Sequence, residues 1–398
     1  MSTIHRVGTL LSAALLTALL GCGATDMSKA PTTGCAAMRD TCIVNQHACV
    51  EDAGGPHCVP CPAGQYASKA GQCESTGANP LVHDFPMFTL MPGQEIVGTC
   101  RSWSLNNATE LWVNAVELVQ DEASHHSNWM YVPNTKYDGP DGLWNCGDRG
   151  YSQLTAALAG GVLYAQSTQA SKEVQKFPNG AAVRIPPYSR IISDVHLLNA
   201  STQPVTGHAH LSIYTLAPAD VKVKLVPFHL TYEGLDIPAH AQSRFYGDCD
   251  AGDSFYTAEN TDWDAKVYYI LPHTHKMARR FFLDVRGGPL DGKPLIAEDG
   301  FNSEARGRAY DPPIDLKGAS GLHFGCEYDN QRDVNVKWGF GDQEMCEVLG
   351  FADTKRAFES QVQKNAPSGT DGAVQLFTSP CNTIMYPWDF QKPGGTPR

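Results

Sequence analysis

Two histidines in one short segment, with a methionine about seventy residues later, are the side chains in this sequence best suited to bind a soft metal. His273 and His275 are separated by one residue, so on a strand both imidazoles lie on the same face. Met345 directly precedes Cys346, and a disulfide there would fix the methionine backbone. Two nitrogens and a thioether favour copper, particularly Cu(I), over zinc, magnesium or calcium. We therefore predict a copper site formed by His273, His275 and Met345.

A second set of histidines lies earlier in the chain. His125 and His126 are adjacent, and adjacent side chains point to opposite faces of a regular strand, so a shared metal requires an irregular backbone there. A third ligand must come from elsewhere. His196 is the leading candidate because it stands alone in an apolar strand, and the pair His208 and His210 is the alternative. We read three further histidines as ordinary: His229, His240 and His323.

Composition excludes several classes of protein. The net charge of −12 argues against a nucleic-acid partner, because phosphate binding requires patches of lysine and arginine. The 13 cysteines indicate an oxidising compartment. No P-loop, dinucleotide-binding glycine motif, GxSxG or HExxH motif is present.

The N-terminus predicts export and a lipid anchor. The apolar run 9–21 is too short to span a bilayer and is typical of a signal-peptide core. It ends in Leu19-Leu20-Gly21-Cys22, which resembles a bacterial lipobox, so we predict that Cys22 is lipidated. The alternative is an ordinary secretory signal with a chance cysteine. The prediction places the protein in the bacterial cell envelope, anchored to a membrane.

Six cysteines between Cys35 and Cys73 have too little apolar sequence among them to form a core, so disulfides must hold this piece together. It resembles an EGF-like module, although six cysteines allow fifteen pairings. A zinc site at Cys58 and Cys61 is the alternative, and export without a second CxxC disfavours it.

The remaining chain is rich in glycine and proline and reads as short strands between turns, which predicts a mainly β fold with two consecutive antiparallel β-sandwich (jelly-roll-like) domains. The one segment that we predict to be helical is 353–364. The predicted organisation is a signal peptide at 1–22, a cysteine-rich module with its linker at 23–78, two sandwiches at 79–218 and 219–390, and a tail at 391–398.

The order of these motifs resembles the copper type II, ascorbate-dependent monooxygenases, the family of dopamine β-hydroxylase and the peptidylglycine α-hydroxylating monooxygenase. The resemblance covers roughly residues 80–390, and the segments 326–330 and 339–346 are most similar to the dopamine hydroxylase branch. It implies one copper on His125, His126 and His196 and another on His273, His275 and Met345. It also implies three disulfides: Cys100–Cys146, Cys249–Cys381 and Cys326–Cys346.

The resemblance further implies an activity. Ascorbate or a similar donor would reduce both coppers, and O₂ would react at the copper of His273, His275 and Met345, the catalytic set. A C–H bond of a small organic substrate would be hydroxylated, while the three-histidine copper supplies the second electron.

Some positions depart from the family pattern. Leu271, Glu347 and Leu349 stand where the peptide-hydroxylating branch has an arginine, an asparagine and a tyrosine that bind a peptide carboxylate. Ser127 replaces the methionine that usually follows the paired histidines. A non-catalytic copper-binding or adhesive surface lipoprotein on the same fold is therefore the alternative function, and a disulfide-rich structural protein without metal is a third.

Overall fold

The computed structural model describes residues 33–388, except 122–123, 167–169, 179, 200, 301–306 and 340–341, and except the side chains of Val44, His125, His126 and Leu154. The predicted signal peptide with Cys22, and the predicted tail, lie outside the described residues. The chain is mainly β, with several sheets behind a disulfide-rich N-terminal region, which confirms the predicted fold class. In the described part, no helix combines the length and apolar character that crossing a bilayer requires.

The cysteine-rich module contains one helix and two hairpins. These are α1 (Cys35–Val44), β1 (His47–Asp52), β2 (Gly55–Pro60), β3 (Gln65–Ala67) and β4 (Cys73–Ser75). Strand β1 pairs with β2, and β3 with β4. Disulfides join the first cysteine to the third, the second to the fourth and the fifth to the sixth, as Cys35–Cys49, Cys42–Cys58 and Cys61–Cys73. The sequence alone left this pairing open, and with Cys58 and Cys61 both in disulfides the zinc alternative fails.

The described part of the first sandwich is built from ten strands. They are β5 (Leu81–Leu90), β6 (Glu95–Ser104), β7 (Leu111–Gln120), β8 (Ser124–Pro133), β9 (Gly142–Asn145), β10 (Gly161–Ala165), β11 (Lys172–Lys176), β12 (Ala181–Ile185), β13 (Ser189–Leu198) and β14 (Val205–Leu216). One sheet has the order β10-β8-β13-β6-β9, and the other contains β12-β7-β14-β5 with β11 also paired to β7. A 3₁₀ helix, Cys146–Arg149, and the helix α2 (Gln153–Ala159) lie between β9 and β10. The Ser152 hydroxyl accepts a hydrogen bond from the Thr155 amide and so caps α2.

The chain leaves this sandwich later than residue 218. After the 3₁₀ helix Pro218–Asp220, the short strand β15 (Val223–Lys224) still pairs with β12, in parallel. The predicted boundary therefore falls inside a segment that remains attached to the first sandwich.

Among the residues that the structure describes, the second sandwich contains fourteen strands and one α-helix. They are β16 (Val226–Thr231), β17 (Asp236–Ile237), β18 (Ala241–Cys249), α3 (Ala251–Glu259), β19 (Lys266–Thr274), β20 (Ala278–Arg286), β21 (Pro294–Asp299), β22 (Arg308–Asp315), β23 (Gly321–Asn330), β24 (Val336–Lys337), β25 (Cys346–Asp353), β26 (Arg356–Gln361), β27 (Ala366–Asp371), β28 (Val374–Thr378) and β29 (Asn382–Pro387). A 3₁₀ helix, Gly288–Leu290, lies between β20 and β21. The sheets have the orders β22-β19-β25-β16-β26-β29 and β21-β20-β23-β18-β28-β27, and β17 pairs with β24. Most pairs are antiparallel, but β16 with β26 and β18 with β28 are parallel.

The predicted helix at 353–364 is wrong. The segment forms a turn and then β26, which lies between β16 and β29 in the sheet. Phe358 and Ser360 are buried while Glu359 and Gln361 are partly exposed, so the alternation is that of a strand with polar side chains on one face. When only composition is considered, a segment with this many polar residues resembles a solvent-exposed helix.

Aromatic side chains join the two sandwiches. Phe177, at the end of β11, packs against Tyr269 of β19 and Phe351 of β25, with ring centroids 5.8 and 5.1 Å apart. All three are almost completely buried, and the same apolar cluster includes Leu271 and Leu349. This shared core fixes the orientation of the second sandwich against the first.

The cysteine-rich module is held against the first sandwich by a buried ion pair. The Lys172 ammonium lies 3.3 Å from the Glu117 carboxylate and donates hydrogen bonds to the carbonyls of Cys61, Pro62 and Gln65, at 2.7–3.0 Å. The Glu117 carboxylate, which is 1% exposed, also accepts hydrogen bonds from the Gly64 amide. The module is therefore anchored on the sheet that contains β7 and β11.

Candidate metal centre

A cleft of about 910 Å³ opens between the two sandwiches. One wall is the face of the sheet β10-β8-β13-β6-β9, and the other is the face of the strands β19, β25, β16 and β26. His196 lines the first wall, and His273 and Met345 line the second. Members of both predicted ligand sets therefore meet in one cavity, although they are separated by more than seventy residues in the chain.

The second set lies where β19 ends and β25 begins. His273 pairs with Glu347, and Thr274 with Cys346, so His275 and Met345 are the next residues on the two chains. The rings of His273 and His275 are 5.2 Å apart, centroid to centroid, and nearly perpendicular. This spacing is compatible with one ion bound about 2 Å from a nitrogen of each ring. The Met345 side chain is 4% exposed, which gives its thioether a nearly dry environment.

The hydrogen bonds of His275 define which nitrogen can bind a metal. Its Nδ1 lies 2.7 Å from the carbonyl oxygen of Gln343, and a carbonyl only accepts, so Nδ1 carries the hydrogen. The lone pair of the neutral ring is then on Nε2, which is buried. Burial and the charge of His273 lower the pKa of His275 to about 4, so the ring is neutral at physiological pH. A neutral imidazole oriented by a second hydrogen bond is the form that ligates metals.

A buried carboxylate fixes the loop that carries His275. Glu344 is fully buried, and its two oxygens accept hydrogen bonds from the amides of His275 and Met277, at 3.1 and 2.8 Å. Burial raises the pKa of Glu344 to about 7. On the other side, the Tyr328 hydroxyl donates to the Met345 carbonyl. The disulfide Cys326–Cys346 joins the two sheets of the sandwich beside the methionine.

Replacing Glu344 with alanine is expected to weaken binding of the copper at His273, His275 and Met345 by roughly 10–100-fold, because two backbone amides that orient the ligand loop lose their acceptor. Competition of a Cu(I) chelator against the variant measures the loss. The affinity of the His196 site, on the opposite wall, is the internal control and is expected to remain unchanged. Equal weakening of both sites would show that the variant disturbs the whole fold.

The backbone of the first set has the irregularity that adjacent histidine ligands require. On the ladder between β8 and β13, His126 is opposite His196, but Leu197 is opposite Ser124, so His125 forms a bulge. The side chains of His125 and His126 lie outside the described part. His196 is 5% exposed, and its Nε2 lies 2.6 Å from a carboxylate oxygen of Glu95. A carboxylate accepts this hydrogen bond, so the lone pair of the neutral ring is on Nδ1.

The alternative ligands His208 and His210 lie on β14, in the other sheet of the first sandwich. Asp84 contacts both, with its Oδ1 3.6 Å from Nε2 of His208 and 2.6 Å from Nδ1 of His210. Neither histidine lines the cleft. Of the three candidates, only His196 is opposite His126 on a neighbouring strand.

We therefore expect His196→Ala to reduce the copper content of the reconstituted protein from two ions per chain to one. His208→Ala removes a histidine of the same domain that is held by Asp84 outside the cleft, and it is expected to retain both ions. Elemental analysis after removal of free metal compares the two variants. The reverse pattern would move the third ligand to β14.

No group of three or more histidine, cysteine, aspartate or glutamate side chains is arranged for a metal ion within the described part of the chain. Neither predicted set is a group of this kind among the described side chains. One combines two histidines with a methionine, and the other includes two side chains that the structure does not describe.

Sequence reasoning missed the charged partners of Glu347, which lies two residues after Met345. His229 of β16 lies between Glu359, 2.9 Å from its Nδ1, and Glu347, 3.7 Å from its Nε2. Burial opposes ionisation of His229 and Glu347, but the attraction between their opposite charges outweighs this effect. The pKa of Glu347 therefore falls to about 2, and the pKa of His229 rises well above its usual value. Glu347 also accepts hydrogen bonds from Trp338 and Thr231. Period-two alternation on β16 and β26 was the only local signal that these side chains share a face.

The first wall of the cleft also contains a partly buried carboxyl group. Asp194 is two residues before His196 on β13, and burial raises its pKa to about 6. Its Oδ2 accepts a 2.6 Å hydrogen bond from Gln153, the first residue of α2. No local sequence pattern marks this residue, because α2 and β13 meet only in the folded chain.

Comparisons with known proteins assign no family. No family model matches the sequence, and no curated protein matches it. The major capsid protein P2 from Bacteriophage PM2 aligns over 69% of this chain and 98% of its own, at 8% identity and a TM-score of 0.27. The PBSX exported protein XepA aligns over 77% and 98%, at 8% identity and a TM-score of 0.19. Similarities this low carry no argument about fold or function.

Proposed function

We propose that this protein is a copper-dependent monooxygenase that hydroxylates a C–H bond of a small organic substrate, with O₂ and an ascorbate-like reductant. The observation that carries the proposal is the common cleft. His196 lines one wall and His273 and Met345 line the other, so members of both predicted ligand sets face a single cavity. A protein that only carried copper would need one such set.

Copper held at these two sets supplies the one-electron and oxygen chemistry of the reaction. The residues of the chain determine which oxidation state of the copper is favoured and how its ligands are oriented. The Met345 thioether favours Cu(I), the oxidation state that reacts with O₂, and Glu344 holds the loop of His275. On the other wall, Glu95 orients His196 so that its Nδ1 is the ligand atom.

The cleft walls restrict the substrate. Leu271 and Leu349 are buried and line the cleft where a peptide-binding relative would place polar groups, so a peptide carboxylate has no partner there. The third of these positions, Glu347, is an anion beside His229 and would repel a carboxylate. A small molecule without a carboxylate fits these walls better than the C-terminus of a peptide.

The proposed location is the bacterial cell envelope, with a lipid on Cys22 as the anchor. Six disulfides in the described part support an oxidising compartment. An acidic chain with this cleft gives no reason to expect a nucleic-acid partner.

The proposal is tested by O₂ uptake. Copper-loaded protein is mixed with ascorbate and a panel of small aromatic and aliphatic compounds under ¹⁸O₂. We expect uptake that depends on one class of compound and a product that carries one ¹⁸O atom. Metal-free protein and a His273→Ala variant are the controls. Tight copper binding without substrate-dependent uptake would instead support the non-catalytic copper-binding or adhesive lipoprotein.

A further inference from the structure

The guanidinium of Arg101 is buried inside the first sandwich without a counter-charge. Arg101 belongs to β6 and is 1% exposed, and its Nε and Nη2 form no hydrogen bond within the described part of the chain. Burial alone lowers its pKa, to about 10, because no described carboxylate offsets the charge. The group is therefore positively charged at neutral pH. A buried charge without a partner is costly, so it calls for a ligand of opposite sign.

The strands on either side of β6 supply no anion to this group. Ser193 of β13 is opposite Arg101, and its hydroxyl donates to the Asp194 carbonyl instead. On the other side, Leu143 of β9 is opposite Arg101. Strand β9 is the edge of this sheet, and Leu143 is 40% exposed. The guanidinium is therefore buried only one strand away from solvent.

Two aromatic rings of β5 hold the guanidinium in place. Its central carbon lies 5.5 Å from the ring centroid of Phe85 and 5.3 Å from that of Phe88. The ring faces attract the positive charge and so compensate part of the cost of burying it. They leave one edge of the group unused, because Nε–H and Nη2–H point the same way in the guanidinium plane. This edge is the fork with which arginine binds anions through two hydrogen bonds.

We propose that Nε and Nη2 of Arg101 bind a small monovalent anion, with the size and charge of chloride, between the sheets of the first sandwich. One such ion accepts both hydrogen bonds and neutralises the single positive charge. A divalent anion would leave a net negative charge in the interior, and a large one would not fit close-packed side chains. Arg101 does not line the cleft between the sandwiches, so the inference does not rest on the proposed copper chemistry.

The test compares thermal unfolding of metal-free full-length protein in sodium chloride and in sodium gluconate at equal ionic strength, since gluconate is too large for the site. We expect the Tm to rise by roughly 3–5 °C for each tenfold increase in chloride above the Kd, because only the folded protein binds the ion. Arg101→Met replaces the charge with an apolar side chain. This variant is expected to have the same Tm in both salts, and in gluconate to be at least as stable as the unchanged protein.

Arg184→Met is the matched control. Arg184 is also buried in the first sandwich, but its Nε lies 2.7 Å from the Glu110 carboxylate, so this variant should keep the dependence on chloride. Crystals of the unchanged protein grown in bromide give a second measurement that needs no variant, and we expect an anomalous peak beside Nε and Nη2 of Arg101. Equal Tm values of the unchanged protein in chloride and gluconate, a chloride effect that persists in Arg101→Met, or bromide bound only elsewhere would each overturn the inference.

Discussion

Replacing Met345 with leucine is expected to abolish ascorbate-dependent O₂ uptake while leaving the protein folded. The change removes the thioether but nearly conserves volume at a side chain that is 4% exposed, so it should cost less than about 1.5 kcal/mol of stability. His273 and His275 remain, but two imidazoles without the sulfur no longer favour Cu(I). O₂ uptake and thermal unfolding of copper-loaded protein measure the two effects separately.

Met130→Leu is the matched control. Met130 also lines the cleft and is 5% exposed, but it lies on β8 in the opposite wall and belongs to neither ligand set. The account predicts that Met130→Leu keeps its O₂ uptake. Full uptake by Met345→Leu would remove the methionine from the site.

Replacing Lys172 with methionine is expected to have the largest effect on stability. Glu117 is 1% exposed, and Lys172 is its ion-pair partner and also the donor to three carbonyls of the cysteine-rich module. Removing one member of a buried pair leaves an uncompensated charge, which costs about 3–5 kcal/mol. For a domain of this size that corresponds to a fall of roughly 10 °C in the Tm of the first transition. Differential scanning calorimetry measures it.

Two further variants separate the ion pair from a general surface effect. Lys69→Met removes an exposed lysine of the same module and is expected to change the Tm by no more than a degree or two, roughly. The double variant Lys172→Met, Glu117→Gln should recover part of the loss, because the buried charge is gone. If the Lys172→Met variant were as stable as the unchanged protein, the module would not be anchored through this pair.

The local features of the molecule were predictable from the sequence. The apolar runs that precede His273 and surround His196 identified buried strands, and the structure places both in sheets. The prediction that His125 and His126 need an irregular backbone agrees with the bulge at that ladder position. The disulfides Cys100–Cys146, Cys249–Cys381 and Cys326–Cys346, which the family resemblance implied, are present. The ligand sets themselves stay predictions.

Contacts between residues far apart in the sequence were not predictable, because no local periodicity of the sequence encodes them. His229 was read as ordinary, yet β16 lies between β25 and β26 and so places it between two carboxylates. Asp194 meets Gln153 only because α2 packs on β8, the strand beside β13. The prediction of a helix at 353–364 was wrong because the polar face of β26 lines a cleft. From the sequence alone, polar residues that line a cleft cannot be distinguished from polar residues on a solvent-exposed helix.

The most direct test of the central claim is X-ray absorption at the copper edge on the fully reduced protein. The account holds that each chain binds two separate coppers and that Met345 binds only one of them. It therefore predicts two coppers per chain and, on average, one sulfur neighbour for every two coppers. The Met345→Leu variant should then lose the sulfur signal. A single copper per chain, or a reduced protein whose coppers have only nitrogen and oxygen neighbours, would contradict the account.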